Sequence, residues 1–276
     1  MPLNGNGWRP TRYTGFIENF ATSTRPVRIE TDVGEGFLKA LGNPEGPHAL
    51  ACELIGSMLA DWMGLTTFDF AIMELGEDDE IPFAKGGRAA PGPGFISRSV
   101  EGFNWGGDVK QLRSISNPLE ITGLVVLDTW TLNYDRRSPD GRRVNRDNVF
   151  FIKSDEKPGA IRLVAMDFTH AFRLGQDINR KLGFIERVQD TKIYGLFPEF
   201  RAFLDRLEVN RLRELLQTFS RATADEFVEM IPTAWDVDRT GRSALSTLIT
   251  ERAHFVADHI ESWLWPEQFV LGGENV

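Results

Sequence analysis

The sequence predicts an α+β fold in two parts: a small β-rich part over 1–103 and a larger helical part over 104–276. Three observations lead there. Short runs with period-2 apolar alternation fill the first part and are interrupted by one helical segment. From residue 117 onward the apolar spacing is mostly that of helices. Near the start of that helical part, two β-prone runs, VFFI (149–152) and IRLVAM (161–166), flank the polar SDEKPGA and read as a hairpin.

Taken in order, residues 1–24 read as a weakly ordered lead-in that ends in the polar turn ENFATSTRP. RPVRIETDVGEGFLKALGN reads as two strands around a loop containing Gly34 and Gly36. In the second strand, Lys39 is flanked by Phe37, Leu38, Ala40 and Leu41. Such a lysine either snorkels outward or has an anionic partner, because burying the bare charge is costly. PEGPHALACELIGSMLADWMGL carries Pro47 near its head and Gly64 at its end, the punctuation of a helix. Leu50, Leu54, Met58 and Trp62 share one face of it, while Glu53 points the other way among Ala49, Gly56, Ser57 and Ala60. Small neighbours admit a second element at close range, which makes Glu53 the expected partner of Lys39; a solvated Glu on a small-residue helix is the alternative.

FDFAIMEL (68–75) alternates as a strand, and GEDDEIPFAKGGRAAPGPG (76–94) reads as an acidic, then Gly/Pro-rich surface loop. FISRSVEG (95–102) resembles another strand, after which 103–110 loosens into a boundary. NPLEITGLVVLDTWTLN (117–133) is apolar nearly all round and should be a buried helix. Beyond the hairpin, DINRKLGFIERV, FPEFRAFLDRLEVNRLRELLQTFS, TADEFVEMI and RSALSTLITERAHFVADHIESWLW show helical spacing with Arg, Glu and Asp outward. In the last, Leu245, Leu248, Ile249, Phe255, Val256, Ile260 and Trp263 form a stripe that reads as core.

Composition narrows the function classes. A hydrophobic content of 41% suffices for a sizeable core, and a net charge of −9 argues against a general nucleic-acid or membrane-surface binder. The single Cys52 excludes an intrachain disulfide and a cysteine metal centre. With four histidines, His48, His170, His254 and His259, a His-rich metal centre is not expected either. The amino terminus lacks a basic-then-apolar signal, and no apolar run approaches the ~20 residues that span a bilayer. The expectation is a soluble, cytoplasmic protein.

Three polar positions stand out between Thr129 and His170. Asp135 follows the apolar helix, Asn148 precedes the first hairpin strand and Asp167 follows the second. If the strands pair, Asn148 and Asp167 come side by side. Two carboxylates and an amide at one mouth suit Mg²⁺ and phosphoryl transfer, in which hard oxygens hold the metal and a separate Asp orients a hydroxyl. Turn and cap roles account for the same residue types.

A strand Lys, a helix Glu and then Asp…Asn…Asp is also the layout of protein-kinase-like folds. FLKALGNPEGPHALACELIGSMLADWMGL and VLDTWTLNYDRR…RDNVFF…LVAMDFTHAF resemble the corresponding motifs of HipA-like kinases, in particular small stand-alone bacterial members. The resemblance is close over residues 12–172 and loose beyond. It implies a bilobal protein-kinase-like fold with a β-rich N-lobe and a helical C-lobe. It implies ATP and Mg²⁺ as cofactors and transfer of the γ-phosphoryl group to a hydroxyl, foremost a protein Ser/Thr. Lys39 would contact the nucleotide phosphates and Glu53 would fix it. Asp135 would be the catalytic base, with Arg136 supporting its loop, and Asn148 and Asp167 the metal ligands. ATSTRP (21–26), with Ser23 and Thr24, takes the place of the phosphate-covering loop, and FISRSVEG that of the adenine-binding hinge. Three departures are visible. The loop from Asp135 to Asn148 is lengthened through SPDG, making Asn145 a rival metal ligand; Thr169 replaces the expected glycine; and the phosphate-covering turn has no glycine. A pseudokinase that works as a nucleotide-sensing or interaction module is the alternative function, and a regulatory partner protein is compatible with both.

Overall fold

The computed structural model describes residues 7–154 and 158–266. The fold is α+β. Its first part is an antiparallel sheet built from β1 (Tyr13–Asn19), β2 (Val27–Thr31), β3 (Gly34–Lys39), β4 (Phe70–Leu75) and β5 (Gly92–Arg98), in the order β1-β2-β3-β5-β4. Helix α1 (His48–Trp62) connects β3 to β4. Strand alternation decides what each face carries. Leu38 and Ala40 enter an apolar cluster with Val27, Ile29, Met73 and Ile96 on one face of the sheet, which turns Lys39 to the other.

Three expectations for this part are corrected. Residues 13–19 of the supposed lead-in form β1 and pair with β2 along their length, while residues 1–6 lie outside the described residues. Gly34 and Gly36 lie in β3 itself, and the turn before it is Asp32–Val33. The 76–94 segment is no free surface loop, because Ile81, Phe83 and Ala89 are buried in the sheet's apolar cluster. That docking brings its tip onto the turn between β1 and β2. Arg25 donates to the Gly86 carbonyl at 2.9 Å, Lys85 to that of Ala21 at 3.3 Å, and Asn19 to that of Pro82 at 3.2 Å.

After β5 the chain enters β6 (Gly102–Asn104), so the expected division at 103/104 falls inside a strand. Strand β6 pairs with β7 (Phe150–Lys153), and β7 with β8 (Ile161–Val164), making the predicted hairpin the centre of a three-stranded sheet. Phe150 faces Val164 at one end of the antiparallel ladder, and Asn148 lies two residues before Phe150 and Asp167 three after Val164, so both project from that same end.

The helical part begins with α2 (Val109–Arg113) and α3 (Leu119–Trp130). Residues Ile121 to Trp130 of α3 are all buried, as its apolar circumference requires. DINRKLGFIERV yields a 3-10 turn and the short α4 (Ile185–Val188) instead of one helix, and residues Pro198–Phe203 form another 3-10 turn. Helices α5 (Arg206–Gln217), α6 (Arg221–Glu229) and α7 (Arg239–Leu264) follow. Each starts at a side-chain cap, Asp205, Ser220 and Asp238 in turn, that accepts a free backbone N–H of the first turn. In α7, Leu245, Leu248, Ile249, Val256 and Ile260 are buried as expected, whereas Phe255 and Trp263 are half-buried and form a cluster of mutually touching rings with His259. Arg252 departs from the expectation of outward charges, being completely buried. The same Ile249–Arg252–Val256 spacing that builds the apolar stripe points it inward. Among the described residues, no helix is long and apolar enough to cross a membrane.

Candidate active site

Lys39 and Glu53 meet where β3 passes α1. The Lys39 Nζ lies 2.8 Å from Glu53 Oε2, 3.1 Å from Asp167 Oδ1 and 3.0 Å from Thr169 Oγ1. Glu53 Oε2 also accepts the Phe168 N–H at 3.1 Å and the Thr169 hydroxyl at 2.9 Å. Thr169 therefore links the lysine to the glutamate, a role a glycine cannot fill. Burial alone would lower the Lys39 pKa, but Asp167 and Glu53 outweigh it and raise it. Burial likewise opposes ionisation of Asp167, yet Lys39, and then Arg136, hold its pKa below the ordinary value. The Glu53 carboxyl, in contrast, is pushed up by burial against the pull of Lys39, with the neighbouring Asp167 charge adding to the rise.

The small-residue face of α1 has a visible use. Gly56 lies against Phe168, and a Cβ there would fall within 3.0 Å of three Phe168 atoms. Close approach of the Asp167–Thr169 segment brings its backbone to Glu53. Asp167 itself has φ +59, a left-handed conformation that costs most L-residues about 1–2 kcal/mol and that Asp tolerates better.

Asp135 is buried at the other side of the mouth. Its Oδ2 accepts from Asn148 Nδ2 at 2.9 Å, and Asn148 Oδ1 accepts from Asn145 Nδ2 at 3.0 Å. Asn148 thus touches Asp135 directly, while Asn145 stands one hydrogen bond further out. The inserted SPDG residues bring the half-exposed Arg143 back over this loop, where it pairs with Asp135 Oδ1 and lies 5.4 Å from the Tyr134 ring centroid.

Arg136 is fully buried and ties three segments together. Its Nε donates to Asp128 Oδ2 of α3 at 2.7 Å and its Nη2 to the Met166 carbonyl at 2.9 Å. Its Nη1 is buried without a hydrogen-bond partner among the described residues. Asp128 also accepts from Asn133 Nδ2 at 3.0 Å; burial pushes its carboxyl up against the pull of Arg136. Gly195, at φ +69, closes over this pair. Its N–H donates to the Arg137 carbonyl at 3.0 Å, and a Cβ would overlap the Asp128 carboxylate.

Behind that layer sits Arg252 of α7. It donates to the carbonyls of Thr129 and Trp130 at the end of α3, and to those of Arg187, Val188 and Asp190 at and beyond the end of α4. One guanidinium therefore satisfies the carbonyls that two helix ends leave open. Burial lowers its pKa to about 10, against Asp190 and Tyr194, so it stays charged at neutral pH.

The expected phosphate-covering residues are placed differently from one another. Ser23 is exposed and Thr24 buried in the turn between β1 and β2, and neither side chain has a hydrogen-bond partner among the described residues. Arg25, at φ +48, takes the left-handed position for which a glycine was missed. Phe20 at the head of the turn packs on Phe37, which shares the Lys39 face of β3, with ring centroids 5.6 Å apart. The thiol of Cys52 is buried within α1, and burial pushes its pKa up to about 12, so it is no nucleophile.

Sequence reasoning missed Asp128, Arg143, Gly195 and Arg252. Asp128 was detectable as an acid inside an otherwise apolar helix, and Arg252 as a charge on an apolar stripe. Arg143 and Gly195 carry no local signal, since their roles depend on where two loops return.

The family described as HipA-like kinase matches the chain over residues 23–263. Among solved structures, the fold is similar to that of the Helicobacter pylori proinflammatory kinase CtkA, with TM-score 0.56 over 92% of this chain and 98% of that one at 10% identity. No curated protein matches it in sequence.

Proposed function

The chain belongs to the HipA-like kinase family, and from that premise we propose that it transfers the γ-phosphoryl group of ATP, held with Mg²⁺, to a protein serine or threonine. One observation carries this reading: Lys39 held between Glu53 and Asp167, opposite an Asp135 oriented by Asn148.

The residues present fit the nucleotide and the metal. Mg²⁺ keeps most of its water and takes one or two protein oxygens plus phosphate oxygens, so the side-chain oxygens of Asp167 and Asn148 are a sufficient set. Lys39 supplies a cation for the phosphates, and the carboxylates of Asp167 and Asp135 around it favour phosphates that arrive with their metal. Bound ATP·Mg²⁺ supplies the electrophilic phosphorus and its leaving group. Lys39, kept cationic by its two carboxylates, binds phosphate oxygens. Thr24, Arg25 and their neighbours cover them from above, clamped by the docked 76–94 segment. Asp135 accepts the hydroxyl proton on Oδ1 once Arg143 swings out, while Asn148 holds Oδ2 in place. Arg136 and Asp128 keep that loop in register with Met166 and hence with Asp167.

The contact between Arg143 and Asp135 also favours a second reading, an interaction module whose carboxylate is permanently covered. Thermal melting with and without ATP·Mg²⁺ and radiolabel transfer separate the two. Asp135→Asn is expected to keep the nucleotide-dependent rise in melting temperature and lose about 10²–10⁴ in transfer rate. Asp167→Asn is expected to lose the rise itself. A wild-type chain that neither shifts with nucleotide nor labels any protein would turn the reading to the interaction module.

A further inference from the structure

Beside the candidate active site, a cleft of about 520 Å³ opens between Arg137–Pro139, the 191–201 segment and the end of α7. Arg137, Lys192 and Arg201 line it together with Leu196 and Trp263, and among the described residues no carboxylate does. Arg137 and Arg201 have no side-chain partner among the described residues. Lys192 lies 3.5 Å from Asp190, a carboxylate already engaged by the Lys192 N–H and the Tyr194 hydroxyl. The neighbouring cleft makes the contrast. There Arg206 and Arg213 are neutralised by Glu261, at 3.3 and 2.7 Å. In a chain of net charge −9, three cations around an apolar floor, two of them without a carboxylate partner among the described residues, are a local exception. Screening over about 8–10 Å limits the repulsion an acidic ligand meets from the rest of the surface.

The cleft is physically joined to the catalytic loop. Arg137 is two residues beyond Asp135, and its carbonyl is held by Gly195 of the 191–201 segment. Two residues of chain span at most about 7 Å, so a ligand group on Arg137 belongs to a peptide position on the order of two to four residues from the acceptor.

We infer that this cleft docks an anionic side chain of the protein substrate, a carboxylate or a phosphate, followed by an apolar residue laid on Trp263 and Leu196. The word substrate rests on the kinase reading, but the cleft and its charge do not.

The test is fluorescence anisotropy on the full chain without nucleotide, using short labelled peptides with one serine flanked by Glu-Leu, Lys-Leu or phosphoserine-Leu pairs. The Glu-Leu peptide is expected to bind at least about ten-fold tighter than the Lys-Leu peptide, and more weakly as salt rises. The phosphoserine arm distinguishes phosphate from carboxylate as the preferred anion. The double variant Lys192→Gln/Arg201→Gln replaces charges on surface segments. It is expected to lose about ten-fold in affinity for the acidic peptide and, if transfer occurs, to raise its KM with kcat unchanged. Equal binding of acidic and basic peptides, no binding of either, or an unchanged double variant would overturn the inference. So would a single-stranded oligonucleotide that binds the cleft in preference to every peptide. Because the binding arm uses no ATP, a missing nucleotide shift would sink the kinase reading while leaving this result legible.

Discussion

Replacing Arg252 with Met is expected to be the most destabilising single change in the layer behind the mouth. The guanidinium donates to five carbonyls, those of Thr129, Trp130, Arg187, Val188 and Asp190, at 2.8–3.1 Å. At about 1 kcal/mol net for each hydrogen bond, their loss amounts to about 5 kcal/mol. Relief from burying the guanidinium returns part of that, leaving about 3–4 kcal/mol. For a chain of this size, that corresponds to a fall of roughly 6–16 °C in melting temperature. Arg252→Lys should fall between, since one ammonium has three donors and no fork. Differential scanning fluorimetry gives the global effect. Hydrogen exchange gives the local one, with protection lost around residues 129–136 and 187–195 before the sheet of the first part loosens. If Arg252→Met melts within about 2 °C of wild type, or loosens all segments equally, then water or backbone donors replace the guanidinium and the two-helix cap is not what holds this layer.

Two more outcomes follow from the site. Gly56→Ala drives a methyl into Phe168 and is expected to lower stability by about 1–3 kcal/mol. It should also shrink the melting shift given by ATP·Mg²⁺, because Phe168 carries Asp167 with it; a stabilised variant with an intact shift would show that Phe168 moves without consequence. The second concerns pH. Burial opposes ionisation of Asp167, but Lys39 prevails and its folded pKa lies below its unfolded value. Its contribution is therefore present above the ordinary carboxylate value of about 3.9 and disappears as pH falls through the folded pKa. The melting difference between wild type and Asp167→Asn should be constant from pH 6 to 8 and close in acid, below about pH 4; a gap that widens in acid would refute the ion-pair assignment.

Much of the fold and of the site was legible because it is written in local periodicity. Alternation through GFLKA shows that Lys39 leaves its apolar neighbours for the other face, and the small residues around Glu53 show that something packs there. The β-prone runs VFFI and IRLVAM fix where Asn148 and Asp167 must lie. What was not legible depends on long-range return. The 76–94 segment looks like solvent-exposed chain in composition, and only the burial of Ile81 and Phe83 shows that it braces the turn from Ala21 to Arg25. Thr169 reads as a defect in a motif until Lys39 and Glu53 are seen to share its hydroxyl. Strand β6 was hidden because three residues of GFN carry too little pattern to predict pairing with a strand almost fifty positions later.

The distance in sequence between Arg252 and the carbonyls it serves gives the protein an order of assembly. The Thr129 carbonyl waits 123 residues for its donor. At a synthesis rate of about 5–20 residues per second, that gap is roughly 6–25 s. During that interval the Thr129 and Trp130 carbonyls at the end of α3 lack the donor that closes them, and the strands around Lys39 are already made. A nascent chain can therefore form its first sheet before the layer behind Asp135 is capped, so that layer sets late in synthesis, with the last long helix.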